Sequence, residues 1–306
     1  MTGQLWLSLS WSNSIHQERL FIRGRLKGRS PFKTNLSPSP LKERGTQGVR
    51  LINNLTKMVL IMEYDGTHYY GFQLQASLPT IQGETEKALS KLTGEQTRVI
   101  AASRTDAGVH AKGQAVNFRT RSSLPPQTFV TGLNYYLPRD IAVKAAYRVD
   151  DSFNVWRDAL SREYSYYILN SSTRSPIKEG FAYLVAGHLD IEAMNRACQA
   201  LIGEHDFAPF ATCIGGRLKS TVRSVYRAEM EKNGELAVFN MVANSFLSHQ
   251  VRNTVGALIR VGLGRMSVDE FHSIAKARKP GLVGPTAPAC GLCLMWINYP
   301  HPFGEI

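Results

Sequence analysis

The chain lacks a long apolar segment and a glycine-rich phosphate-binding loop. None of its 306 residues belongs to a stretch approaching the roughly 20 apolar residues that a membrane-spanning helix needs. Even the apolar run at 255–263 is interrupted by Arg260. Neither standard spacing of a glycine-rich phosphate loop occurs. We therefore expect no membrane association, and an ordinary nucleotide-binding enzyme is disfavoured.

Cysteines are also scarce. The chain has Cys198, Cys213, Cys290 and Cys293, whose scattered placement predicts no disulfide framework and favours a reducing compartment. Cys290 and Cys293 alone are a weak indication of a metal or redox site because a second pair is missing. Cys213 and His205 do not complete a convincing zinc site. We therefore predict no metal, and buried or half-buried thiols at the terminal strand.

Acidic residues are rare at the start of the chain. The whole chain carries a net charge of +12, and residues 1–57 contribute +8 of it from four Lys, six Arg and two Glu, which leaves +4 for residues 58–306. This remainder is mildly basic, which agrees with a nucleic-acid surface without requiring one. Residues 1–57 fit a disordered basic arm or an organelle transit peptide. They also fit an extension ahead of a real start near Met58, which we favour because Met58 opens the first strand.

Hydrophobic periodicity predicts the same order of elements twice, βαββαβ, which is the ferredoxin-like unit. In residues 58–150 the predicted strands are 58–64, 97–102, 114–120 and 140–149, and the helices are 80–93 and 125–136. In residues 151–306 the strands are 162–169, 222–231, 235–243 and 292–299, with helices around 191–201, at 247–262 and at 267–278. We therefore predict an α+β fold of two ferredoxin-like halves. Their antiparallel sheets lie side by side, with an active-site cleft between the halves.

One loop carries a candidate reactive group. Asp106 follows the cation Arg104 and precedes Gly108, and apolar segments typical of strands lie on both sides. A loop between strands is where a rigid scaffold displays functional side chains, and Arg104 is expected to keep a partly buried Asp106 ionised. Taken alone, the loop fits better an aspartate that caps its own turn while pairing with a nearby arginine. His110 in the same loop is assigned to loop structure or to contact with a nucleic-acid partner.

Several segments together resemble the TruA family of tRNA pseudouridine synthases. The resemblance extends from about Met58 to Tyr299, and its most specific block is SRTDAGVHAKGQ from Ser103. Further blocks are EYDGTHYYGFQ from Glu63, NYYLPRDIAV from Asn134, SREYSYYI from Ser161, GEHDFAPF from Gly203, VRSV from Val222, NSFLSHQVRNTVGAL from Asn244 and GLCLMWINYP from Gly291. The chain departs from the family at Phe72, where a Trp is usual, at Ala102-Ser103, where a Gly is common, and at Asn154-Val155-Trp156, where a His and an Arg are lost.

The resemblance implies an enzyme that converts uridine to pseudouridine on the 3′ side of the tRNA anticodon stem and loop. It also implies a homodimer in which each tRNA contacts both subunits, with no metal or organic cofactor. Asp106 matches the catalytic aspartate, and Arg104 the arginine of the same loop. Tyr164 matches the active-site tyrosine, Arg252 the arginine paired with the aspartate, and Leu292 the apolar residue against the base.

The chemistry fits these residue types. The reaction breaks the N1–C1′ bond, turns the uracil and joins C5 to C1′. A carboxylate starts it by adding to C6 or by assisting departure of the base at C1′, and the sequence does not choose between these routes. Tyr164 suits stacking on uracil, or removal of the C5 proton if its pKa is lowered. The rival function is a non-catalytic RNA-binding protein with tandem ferredoxin-like domains. We expect a cytoplasmic protein, or an organellar one if residues 1–57 are a transit peptide.

Overall fold

The apolar segments predicted as strands assemble into one continuous sheet. The computed structural model describes residues 55–212, 220–277, 279, 281–301 and 303, all within the unit Ile52–Ile306. Of the predicted N-terminal extension, residues 1–54 lie outside the described part. Among the described residues, no helix is both long and apolar enough to cross a membrane.

The first half follows the predicted order of elements. Its elements are β1 (Thr56–Tyr64), α1 (Ile81–Thr93), β2 (Ile100–Ala101), β3 (His110–Thr120), α2 (Pro126–Tyr136) and β4 (Ile141–Val149). The strand predicted at 97–102 is shorter than expected, because only Ile100 and Ala101 pair with β3. The Asp106 loop joins β2 to β3, as predicted.

The second half contains the predicted elements and two more short strands. Its elements are β5 (Ser161–Asn170), β6 (Tyr183–Val185), α3 (Ile191–Cys198), β7 (Gly203–Asp206), β8 (Val222–Asn233), β9 (Leu236–Ala243), α4 (Gln250–Gly262), α5 (Val268–Lys276) and β10 (Leu292–Asn298). Strands β6 and β7 were not predicted. Helix α4 begins at Gln250 rather than at 247, because His249 has a left-handed backbone with φ of 59°.

The two sheets predicted side by side are joined into one. The ten-stranded sheet has the order β4-β1-β3-β10-β5-β9-β8-β7, with β2 also paired to β3 and β6 to β5. Strand β10 makes the junction, because it runs parallel to β3 at His110 and Ala111 and antiparallel to β5. The sheet is otherwise mostly antiparallel, so the α+β class is confirmed.

The junction places residues from distant parts of the chain next to one another. Tyr164 on β5 pairs with Leu294 on β10, and Cys293 on β10 pairs with His110 at the start of β3. The loop that carries Asp106 ends at His110. The sheet therefore brings the Asp106 loop, the middle of β5 and the start of β10 together, although they are far apart in sequence.

Candidate active site

All five site residues predicted from the sequence line one cavity. Asp106, Arg104, Tyr164, Arg252 and Leu292 surround a space of about 1270 Å³, which we call the catalytic cavity. Ligand pockets in proteins commonly measure roughly 300–1,000 Å³. The catalytic cavity therefore has room for more than a single base.

The Asp106 loop is held by the backbone of a neighbouring loop. The Phe72 N–H donates to the Thr105 carbonyl at 3.0 Å, and the Gly108 N–H donates to the Tyr69 carbonyl at 3.2 Å. Gly71 has φ of 87°, and a Cβ there would lie 2.8 Å from the Thr105 oxygen. Only glycine fits this approach without a shift, which explains why the segment around Gly71 and the Asp106 loop act as one unit.

Side-chain hydrogen bonds extend this unit to Tyr164. The hydroxyls of Tyr64 and Thr105 are 2.8 Å apart, and the Gln114 amide donates to the Ser103 carbonyl at 2.6 Å. The Ser103 hydroxyl lies 3.0 Å from the Tyr164 hydroxyl. The loop and the tyrosine are therefore fixed relative to each other.

Two basic side chains contact the carboxylate of Asp106. The Oδ2 atom lies 3.5 Å from Nη1 of Arg252 and 3.4 Å from Nε2 of His249. Arg252 is in turn positioned by its Nε–H, which donates to the Ala287 carbonyl at 2.8 Å. Arg104, which was expected to keep Asp106 ionised, is exposed and forms no ion pair with it among the described residues, so Arg252 is the arginine that contacts the carboxylate. The contact made by His249 was not predicted.

Tyr164 and Leu292 are buried, and they supply an aromatic and an aliphatic part of the cavity wall. The ring of Tyr164 meets that of Phe246 edge to face, with 5.1 Å between centroids. Burial raises the pKa of the Tyr164 hydroxyl to about 12, against a smaller lowering by the Ser103 hydrogen bond. The lowered pKa that a proton-removing tyrosine needs is therefore not found here.

Arg162 is a buried residue of the cavity that sequence reasoning missed. Its side chain donates to the carbonyls of Asn244 and Trp156 at 2.7 Å, and to those of Ala159 at 3.2 Å and Ala102 at 3.3 Å. Burial lowers the pKa of this guanidinium. Arg162 thus ties together segments that border the cavity. In the sequence, Arg162 could have been recognised as an arginine within the tyrosine-rich strand segment SREYSYY.

The remaining candidates have structural partners. Nδ1 of the buried His110 accepts from the Gly66 N–H at 3.1 Å, and Nε2 lies 2.8 Å from the Gly180 carbonyl, which agrees with its assignment to loop structure. Cys293 is buried and Cys290 half-buried, as predicted. Cys213 lies outside the described residues. No group of potential metal ligands was found in the part of the chain that is described.

The cavity wall carries an acidic side chain that basic residues contact, with a tyrosine and a leucine nearby. This arrangement is the kind that suits carboxylate chemistry on a small planar group. A family model described as tRNA pseudouridine synthase matches residues 60–156 and 197–300 of this chain. The chain belongs to the tRNA pseudouridine synthase family, and the resemblance to the TruA group is confirmed.

Curated relatives agree with this assignment. The chain is 40% identical over 245 residues to a tRNA pseudouridine synthase A of Thermoanaerobacter sp., covering 80% of this chain and 100% of the relative. It is 44% identical over 252 residues to a protein of that name from Roseiflexus castenholzii, covering 81% and 92%. For the same enzyme of Francisella tularensis the identity is 40% over 245 residues, covering 79% and 94%.

Proposed function

We propose that this chain isomerises uridine to pseudouridine in tRNA, on the 3′ side of the anticodon stem and loop, with Asp106 as the nucleophile. One observation carries the proposal. The Asp106 carboxylate lies in a cavity that Tyr164 and Leu292 also line, and Arg252 contacts it at 3.5 Å. Membership of the family supports the substrate class.

Asp106 starts the reaction by adding to C6 of the uracil or by assisting departure of the base at C1′. Both routes use the carboxylate, and the neighbouring guanidinium of Arg252 orients it from 3.5 Å. The N1–C1′ bond breaks, the base turns and C5 bonds to C1′. C5 then loses its proton and N1 gains one, and in the C6 route the bond between Asp106 and C6 breaks to return the free carboxylate. Atoms and electrons balance without an oxidant or a group acceptor, so the proposal includes no cofactor.

The other site residues hold the base. The target uridine must leave its helical stack, which costs a few kcal/mol, and the exposed Arg104 at the cavity is suited to fill the gap. Tyr164 stacks on the uracil while Leu292 forms the opposite wall. The raised pKa of Tyr164 makes its phenolate rare at neutral pH, which supports stacking over proton removal.

The wider assembly is also proposed. We assign residues 58–150 and 151–306 to two ferredoxin-like domains, because the order β4-β1-β3-β2 in the first recurs as β10-β5-β9-β8 in the second. The homodimer, in which each tRNA contacts both subunits, and the cytoplasmic location rest on the family resemblance. An organellar location replaces the cytoplasmic one if residues 1–57 are a transit peptide.

Asp106→Ala tests the proposal. We expect tritium release from C5-labelled uridine in tRNA to fall by about 10⁴-fold or more, while tRNA binding changes little. The matched control is Asp269→Ala, which removes a carboxylate at the start of α5, outside the catalytic cavity. Release retained by Asp106→Ala refutes the nucleophile. No release by the wild type, with binding intact, favours the non-catalytic RNA-binding protein.

A further inference from the structure

A second cavity of about 690 Å³, which we call the flanking cavity, adjoins the catalytic one. The two share Arg98, Ile100 and Asn154 as lining residues. Its volume is within the roughly 300–1,000 Å³ of common ligand pockets. A polymeric substrate with one unit in the catalytic cavity therefore has space for a neighbouring unit here.

The lining of the flanking cavity is basic. Its cations are Lys57, Arg98, Arg119 and Arg121, and its one lining carboxylate is Glu95. That carboxylate is already engaged, because it accepts from the Arg121 backbone N–H at 3.0 Å and from the hydroxyl of a neighbouring threonine. The cavity therefore favours an anionic ligand.

The guanidinium groups are available to such a ligand. Arg98 contacts Glu86 at 3.4 Å and Arg119 contacts Asp151 at 3.2 Å, and both arginines are largely exposed. Exposed ion pairs of this kind contribute little to stability, so the arginines can exchange them for a phosphate at little cost. The exposed Arg121 side chain has no hydrogen-bond or ion-pair partner among the described residues.

A buried amide in the same wall has an unpaired atom. Asn117 is 4% exposed, and within the described part of the chain its Oδ1 has no hydrogen-bond partner. A buried polar atom without a hydrogen-bond partner is destabilising, so a ligand that supplies the partner is favoured. Because side chains alternate along a strand, Asn117 and Arg119 share one face of β3. A ribose 2′-hydroxyl both donates and accepts, so it can pair with either atom of this amide.

We propose that the flanking cavity binds the ribonucleotide next to the target uridine, with the arginines on its phosphate and Asn117 on its ribose 2′-hydroxyl. This inference rests on the proposed function and extends it. It assigns recognition of RNA, as distinct from DNA, to a side chain outside the catalytic cavity.

The phosphate contact is tested by the salt dependence of binding. The protein is full-length Asp106→Asn, the probe is an anticodon stem-loop RNA, and the readout is fluorescence anisotropy. Adding Arg119→Gln and Arg121→Gln should reduce the slope of log K against log salt by about 0.7, because both arginines are assigned to one phosphate of a single strand. The dissociation constant should rise about fivefold near 0.1 M salt.

The matched control adds Arg174→Gln and Arg196→Gln instead. Both residues are exposed arginines that line neither cavity. We expect the slope of this control to stay close to that of the Asp106→Asn parent. Equal slopes in the two double variants overturn the phosphate contact.

The ribose contact is tested from the substrate side. A set of RNAs each carries one 2′-deoxy nucleotide, on one side or the other of the target uridine. We expect binding to weaken about tenfold for one of these positions only. Asn117→Val, which keeps a residue suited to a strand, should abolish that difference, and thermal melting checks that it folds. If Asn117→Val does not fold, the affinities of the Asp106→Asn parent for the 2′-deoxy RNAs decide whether the ribose contact exists. Equal affinity for all the deoxy RNAs overturns the assignment.

The two proposals fail in different ways. Binding is measured in the Asp106→Asn variant, so it does not depend on turnover. If the wild type releases no tritium but the slope and deoxy effects appear, the proposed reaction is wrong and the flanking site stands. If tritium is released and neither effect appears, the reaction stands and the flanking site is wrong.

Discussion

Gly71→Ala should uncouple the Asp106 loop from its support. The new Cβ would lie 2.8 Å from the carbonyl oxygen of Thr105, the residue before Asp106. That oxygen also accepts from the Phe72 N–H at 3.0 Å, so the loop has to shift to make room. A misplacement of about 1 Å at a reacting group costs roughly 10²-fold in rate. We therefore expect kcat to fall about 100-fold.

The same change also strains the backbone. Gly71 has φ of 87°, and an L-residue in the left-handed region costs roughly 1–2 kcal/mol. Gly94→Ala separates the two effects. Gly94 has φ of 75°, but a Cβ there would meet nothing within 4 Å. Both variants should lose about 1 kcal/mol or more of unfolding free energy, and only Gly71→Ala should lose activity.

Tritium release from C5-labelled tRNA gives kcat and KM for both variants, and urea unfolding gives their stabilities. KM for tRNA should stay within about threefold of wild type, because the proposed RNA contacts other than Arg104 lie outside the shifted loop. The reasoning is refuted if kcat of Gly71→Ala stays within about threefold of Gly94→Ala. Equal losses in both variants also refute it.

Three further changes test the site. Arg252→Gln should lower kcat about 10²-fold with little change in KM, because it removes charge next to Asp106; unchanged kcat contradicts this role. Tyr164→Phe should keep kcat within about tenfold, because the proposed contact with the base is made by the ring and not by the hydroxyl. Burial raises the pKa of Tyr164 from 10.0 to about 12, so the free energy of unfolding should fall as the pH rises from 10 towards 12. Tyr164→Phe has no hydroxyl to titrate and should lose less stability over this range. Equal losses in urea unfolding contradict this. Arg162→Met should cost about 3 kcal/mol of unfolding free energy by leaving carbonyls unpaired. Arg227→Met, which breaks a half-exposed ion pair, should cost less than about 1 kcal/mol; equal costs contradict the role of Arg162.

Elements with local signals could be predicted from the sequence. Helix α1 lies within the predicted 80–93 because Thr80 accepts from the Gly83 N–H as its N-cap and Gly94 takes the left-handed C-cap. The hairpin between β8 and β9 follows from Asn233-Gly234, where Gly234 has φ of 59°. These signals depend on neighbouring residues, so one sequence is enough to show them.

Contacts between distant segments could not be predicted in the same way. Pairing of β10 with β3 joins the two halves through only two residue pairs, Cys293 with His110 and Leu294 with Ala111, which is too short to leave a pattern. Strand β6 has three residues and is equally hard to recognise.

In the candidate site, too, some contacts could be predicted from the sequence and others could not. The resemblance predicted that Arg252 meets Asp106, and the structure brings these residues together. It gave no reason for His249 to reach the same oxygen, because that contact depends on the left-handed backbone ahead of α4. The hydrogen bonds of Arg162 to four carbonyls depend on loops that only the fold brings together.

Nucleotide-resolution mapping of pseudouridine, in unmodified tRNA treated with the purified protein, tests the central claim most directly. The wild type should produce pseudouridine on the 3′ side of the anticodon stem and loop, and Asp106→Asn should produce none while still binding the tRNA. Pseudouridine formed at those positions by Asp106→Asn, or none formed by the wild type, would contradict the account.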